Sequence, residues 1–160
     1  MRISSRFSSA WLAPAFFALT WGLGASQGQT FSGNWRLNLE KTRWTAGSRP
    51  GSVLVVVYQQ GSDIQYHGAA IYSGEEMRVF GFAGAFDGKP YRMSRSFGDG
   101  MITLRRLDEN TFESTFHSDD GVFTETAKTW VSPDGKTLTR KLTLRGSDGT
   151  QTWTEIYDKK

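Results

Sequence analysis

FSGNWRLNLEKTRW, residues Phe31 to Trp44, follows directly on a segment of a different kind and sets Gly33-Asn34-Trp35 on what reads as the first strand of an all-β chain. Everything after it reads as a run of hairpins able to close around that tryptophan.

Upstream, Arg2 and Arg6 make a positive start, and Trp11 to Ala25 is apolar apart from Thr20. Small residues follow at Ala25, Ser26 and Gly28, as a signal-peptidase site requires. The apolar run is about 15 residues, short of the ~20 that span a bilayer. Residues 1–28 are therefore expected to be a cleaved signal peptide and 29–160 one exported domain, periplasmic or secreted, without stable membrane insertion. A retained membrane anchor is the alternative.

Cleavage would remove Arg2 and Arg6, taking the 19 Lys+Arg to 17 against 16 Asp+Glu. A chain so near neutrality, with no Lys/Arg-rich run, lacks the electrostatic footprint of nucleic-acid binding. No nucleic-acid partner is expected. The chain has no cysteine, so it carries neither a disulfide nor a lipid-attachment thiol. Its size suffices for a core without either.

Downstream, the chain is punctuated by Asp87-Gly88, Asp99-Gly100, Asp120-Gly121, Asp134-Gly135 and Asp148-Gly149, the last three spaced 14 residues apart. Asp-Gly supplies the positive φ that tight hairpin turns need. Gly61-Ser62-Asp63 and Asp108-Glu109-Asn110 read as further turns. Between the turns lie segments rich in Val, Thr and aromatics. The strands expected are 32–39, 52–60, 64–72, 77–83, 91–97, 101–107, 111–118, 122–131, 137–145 and 150–158. The segment 91–97 alternates poorly and follows Pro90. Little helix is expected beyond the signal segment. A meander of this count closes into a barrel or splits into a sandwich.

Gly33-x-Trp35 on a first strand, the hairpin meander and a terminal Glu155-Ile156-Tyr157-Asp158-Lys159 resemble the lipocalin-like (calycin) barrels. The segments 31–41 and 131–138 also resemble small exported bacterial proteins described only as lipocalin-like. The length is similar to that of intracellular fatty-acid-binding proteins. The resemblance implies a closed antiparallel up-and-down barrel of eight to ten strands that holds a small apolar or amphipathic molecule. In fatty-acid-binding proteins the last strand carries Arg-x-Tyr, which holds the ligand carboxylate. Here Glu155 takes the arginine's place and Tyr157 is kept, which counts against a carboxylate at that spot.

The last hairpin is the most informative. With a turn at 146–149, Arg145 pairs with Thr150, Leu142 faces Trp153, Leu138 faces Tyr157, and Arg140 lies opposite Glu155. A one-residue slip would pair the leucines with Thr152, Thr154 and Ile156 instead. The first register collects the large apolar groups on one side and is preferred. It sends Arg140 and Glu155 inward, where each charge neutralises the other.

Two roles stay open for that pair. In one, implied by the resemblance to lipocalin-like barrels, Arg140 packs over Trp35 as a plug that closes the barrel floor, held by Glu155. In the other, Arg140, Glu155, Tyr157 and Trp153 line a cavity and orient a ligand's head group, with Trp35 as its floor. Phe112, Phe116 and Phe123 are read as core, and they leave open whether the barrel is hollow or filled. Trp44 and Trp130 are read as partly exposed.

Ser52–Gln60 carries six apolar residues in a row, Val53 to Tyr58. Its outer face needs cover, from the 40–51 loop and Trp44 or from a second copy in a homodimer.

His67 and His117 have no cysteine and no carboxylate pair at ligand spacing, so no metal is expected. No cofactor is expected either. The pairs Glu75-Glu76 and Asp119-Asp120 read as solvated turn charges, and no Gly-x-Ser-x-Gly elbow occurs. No catalytic residue is assigned. An enzyme using Glu155 or His67 as a base ranks last, behind a binding protein and a filled interaction module.

Overall fold

The structure, a computed structural model, describes residues 30–45, 49–74 and 76–160. The expected signal segment 1–28, part of the 40–51 loop and Glu75 lie outside the described residues.

Ten antiparallel strands follow in chain order: β1 (Gly33–Leu37), β2 (Ser52–Gln60), β3 (Asp63–Ile71), β4 (Met77–Ala85), β5 (Asp87–Arg95), β6 (Gly100–Asp108), β7 (Thr111–Ser118), β8 (Thr124–Val131), β9 (Thr137–Gly146) and β10 (Gly149–Lys159). Each pairs with its sequence neighbours, and β1 also pairs with β10. The barrel is closed, with no free sheet edge. No helix occurs among the described residues.

Closure follows from alternation. On β2, Val53, Val55 and Val57 point inward and are at most 5% exposed, while Leu54, Val56 and Tyr58 point out. The core continues around the barrel through Ile64, Phe82, Ile102, Leu104, Phe116, Leu138 and Tyr157. At about 25 cal/mol per Å2 of apolar surface, burial of such rows is the main force that sets the register.

The evenly spaced Asp-Gly pairs do what their chemistry suggests: Gly121, Gly135 and Gly149 all take positive φ between neighbouring strands. Of the other two pairs, Asp87-Gly88 reverses the chain between β4 and β5, with Gly88 at φ 76°, whereas Asp99-Gly100 does not make the expected turn. Gly98, with φ 127°, turns the chain before β6, and Gly100 opens that strand as a buried residue. Asp87-Gly88 also opens β5, where the pairing with β6 shifts between Asp87 and Pro90. That irregularity accommodates Pro90, because the β4–β5 ladder covers only Phe80–Phe82 against Met93–Arg95 and has ended before reaching it. The strand therefore begins earlier than expected and stops at Arg95, short of Phe97.

The described part of the 40–51 loop does not cover the outer face of β2. Its first part runs along β10, with Asn38 N donating to Ile156 O, Ile156 N donating to Thr42 Oγ1, and Arg43 bridged to Thr154. Leu54, Val56 and Tyr58 stay 44–57% exposed.

The two ends of the barrel differ. Where β2, β4, β6, β8 and β10 finish, Phe31, Phe86 and Phe112 pack with ring centroids 4.8–6.0 Å apart. Arg106 lies over Phe86 at 4.8 Å. Trp35, fully buried, donates its indole N–H to Phe31 O at 2.9 Å, and Lys159 Nζ stands 5.1 Å over its ring. The cations over this floor are thus Lys159 and Arg106. Arg140 stands over Tyr66 instead, at 5.6 Å, so the plug of Arg140 on Trp35 is not formed. The opposite end is a mouth, ringed by Trp44, Tyr72, Phe97, Phe123 and Trp153.

Candidate functional site

The β9–β10 hairpin adopts the first of the two registers. Arg145 pairs with Thr150, Leu142 with Trp153, Arg140 with Glu155 and Leu138 with Tyr157. The reason is burial: this phase sends Leu138, Leu142 and Tyr157 inward, each at most 2% exposed. Arg140 and Glu155 are carried in with them.

Inside, Glu155 gathers three donors. Arg140 Nη1 lies 3.2 Å from Oε2, the Tyr157 hydroxyl donates to Oε2 at 2.8 Å, and the Trp153 indole N–H donates to Oε1 at 2.9 Å. Four of the five residues singled out in the sequence thus form one hydrogen-bonded cluster. Trp35 stands apart from it, in the floor.

The cluster extends to residues the sequence reading passed over. Arg95, from β5, reaches Glu125, from β8, with Nη1 3.2 Å from Oε2 and Nη2 3.4 Å from Oε1. Arg140 Nη2 approaches the same Glu125 at 3.8 Å. The result is a line of alternating charge, Arg95–Glu125–Arg140–Glu155, with side chains between 5% and 15% exposed. Arg95 also lies face-on to Phe116, 3.7 Å from the ring centroid. The clue to both missed residues was phase: Arg95 alternates with Met93 and Glu125 with Ala127, two positions that face inward.

Burial decides the electrostatics. It pushes the Tyr66 phenol up to about 12 and Tyr157 well above its usual range, the latter helped by the neighbouring Glu155 charge. Burial alone would lower Arg140, but the attraction of Tyr66, Glu155, Tyr157 and Glu125 outweighs it and holds that guanidinium above its ordinary value. Both phenols are neutral donors at physiological pH.

Beside the charge line is an inner cavity of about 90 Å3, walled by Tyr66, Phe82, Met93, Ile102 and Leu142 together with Arg95, Glu125, Thr129 and Arg140. Three buried polar atoms on its walls have no hydrogen-bond partner: Tyr66 Oη, Arg95 Nε and Thr129 Oγ1. A larger chamber of about 460 Å3 at the mouth shares Arg95, Phe97 and Glu125 with the inner one. Of the residues singled out in the sequence, Arg140 is a wall of the inner cavity and Trp153 of the mouth. Glu155 and Tyr157 hold Arg140 in place.

His67 and His117 face outward, His117 Nδ1 lying 3.1 Å from Thr124 Oγ1. Among the described residues no cluster of His, Asp or Glu has the makings of a metal site. Glu155, engaged by three donors, has little of a free base about it.

Comparison with solved structures agrees with this architecture. A Schistosoma mansoni fatty acid binding protein in complex with arachidonic acid superposes with a TM-score of 0.55 and 13% identity, over 84% of this chain and 98% of that one. Zebrafish ileal bile acid-binding protein complexed with cholic acid gives a TM-score of 0.48 and 16% identity, over 81% of this chain and 98% of that one. The first likeness shows a shared fold. No family model and no curated protein matches the chain.

Proposed function

We propose that this barrel binds a small apolar or amphipathic molecule in its lumen and performs no catalysis. The observation that carries the reading is the inner cavity beside a buried, internally neutralised charge line, opening toward an aromatic mouth. Apolar walls with a few convergent polar groups are the usual make-up of a small-molecule site. Arg140 and Trp153 would meet the ligand, Glu155 and Tyr157 would hold Arg140, and Trp35 would close the floor. The arachidonic acid bound by the similar Schistosoma mansoni barrel supports this reading. The same proposal places the protein outside the cytoplasm of a bacterium, exported by residues 1–28. It is tested by expressing the full chain in a bacterium with an outer membrane, recovering the protein from the periplasm, and extracting what travels with it for mass spectrometry. Titration with the neutral fluorescent probe N-phenyl-1-naphthylamine gives an independent measure. Protein that carries no small molecule and leaves the probe dark would end the reading.

A second reading has its own observation. Leu54, Ala69 and Val79 lie side by side across β2, β3 and β4, and Val56, Ile71 and Met77 extend them into an exposed apolar patch. We propose that this patch joins two copies of the chain. Sedimentation should show a dimer that Leu54→Lys with Val79→Lys converts to monomer; a wild-type monomer at high concentration would exclude it.

A further inference from the structure

The charge line is complete without a ligand. Glu125 receives both terminal nitrogens of Arg95, and Glu155 receives Arg140, Tyr157 and Trp153. Two arginines face two glutamates, so the lumen holds no uncompensated charge. A carboxylate or ammonium group brought in would add one to a poorly solvated interior, at a cost of several kcal/mol.

What remains unmet adds no net charge: two hydroxyls, and one N–H of the Arg95 guanidinium whose charge Glu125 already faces. The Tyr66 hydroxyl, the Arg95 Nε–H and the Thr129 hydroxyl have no partner and belong to residues that line the inner cavity, themselves 4%, 8% and 1% exposed. Leaving a buried polar group unsatisfied is costly, so a ligand that supplies the missing partner is favoured. Together they present donors, and through the two hydroxyls also acceptors. The cavity of about 90 Å3 has room for a polar head and little more. The adjoining chamber of about 460 Å3 falls in the size range of small-molecule pockets and is walled by Trp44, Phe97, Phe123 and Trp153, with Asp148 and the Glu76-paired Arg78 also on its lining.

Resting on the proposed lumenal binding, we infer that the ligand is an uncharged amphiphile. Its hydroxyl or carbonyl head lies among Tyr66, Thr129 and Arg95 Nε, and its apolar body runs past the Arg95–Glu125 pair into the mouth. In this arrangement Glu125 is the specificity determinant: by neutralising Arg95 it turns away the carboxylates that a lone arginine would attract.

The test uses 1-decanol, decanoate and decylammonium against the full-length protein purified from the periplasm, by displacement of N-phenyl-1-naphthylamine at about pH 8, where the acid is ionised. Decanol is expected to displace the probe at concentrations about tenfold or more below either charged compound. Tyr66→Phe, which removes only an unpartnered hydroxyl, should keep the fold while weakening decanol severalfold, and Thr129→Val should do the same. Glu125→Gln should move the preference toward decanoate. Decanoate binding as tightly as decanol overturns the inference and leaves lumenal binding standing. Unchanged decanol affinity in both Tyr66→Phe and Thr129→Val overturns it as well, since water alone then occupies the inner cavity. Failure of the probe and all three compounds to bind removes lumenal binding itself.

Discussion

Arg95 and Glu125 meet across the lumen in a two-pronged ion pair, at 3.2 and 3.4 Å, although β6 and β7 separate their strands in the sheet. The barrel's curvature brings together side chains that no local pattern pairs. The contact links the halves of the polar interior, because Glu125 is also approached by Arg140.

Removing one member of such a pair leaves a buried charge without compensation. Glu125→Gln is expected to cost about 3–5 kcal/mol in urea unfolding. Glu155→Gln should cost less, since Arg140 keeps Glu125 nearby and the amide oxygen still accepts a hydrogen bond. Arg95→Met combined with Glu125→Leu should recover most of the loss, replacing the pair by packing. Equal losses for the two glutamine variants would contradict the ranking.

Arg140→Ala removes a cavity wall and the ionic partner of Glu155 together. Stability is expected to fall by about 3–5 kcal/mol. Affinity for the fluorescent probe, measured on the protein that remains folded, is expected to fall about tenfold. Lost stability with unchanged affinity would make Arg140 purely structural.

Tyr66 couples stability to alkaline pH. Its pKa rises from 10.0 to about 12 on folding, so the unfolded chain loses this proton first. Between those values the unfolded state binds fewer protons, and stability falls as pH rises. The contribution is fully present below pH 10 and is lost through about pH 12, with a magnitude of roughly 3 kcal/mol. Urea midpoints should decline over that window, and Tyr66→Phe should flatten part of the decline. An identical decline in the variant would remove Tyr66 as a source.

Glycines should differ sharply in their tolerance of alanine. A Cβ on Gly100 would run into the His117 carbonyl and the Phe116 ring, a backbone clash that no side-chain movement relieves. A Cβ on Gly146 would meet only ordinary contacts at 3.6 Å. Gly100→Ala is expected to cost about 3 kcal/mol or more, Gly146→Ala well under 1. Gly135→Ala, at φ 68°, should fall between, near the 1–2 kcal/mol of a left-handed residue. Thermal melts of the three variants check the order.

Much of the architecture was legible because it depends on short-range rules. Alternation in Val53–Tyr58 and Leu138–Leu144 sets which face is buried, and Asp120-Gly121, Asp134-Gly135 and Asp148-Gly149 terminate their strands locally. The pairing of Arg140 with Glu155 follows from one hairpin, where turn length sets register. The rule fails at Asp99-Gly100, where the same dipeptide sits at a strand start and Gly98 takes the positive φ instead. There neighbouring strands, and not the turn, decide the backbone.

By itself, then, the sequence determined ten β-segments, their antiparallel order, and an arginine and a glutamate turned inward on the last hairpin. Each of these is decided by residues adjacent in the chain or across one turn. Only the tertiary structure decided that Arg95 meets Glu125, that Lys159 and Arg106 rather than Arg140 stand over the floor aromatics, and that Tyr66, Thr129 and Arg95 Nε open on one cavity. Those contacts join strands far apart in sequence, and their partners are fixed by the closure and tilt of the barrel, which no single hairpin encodes.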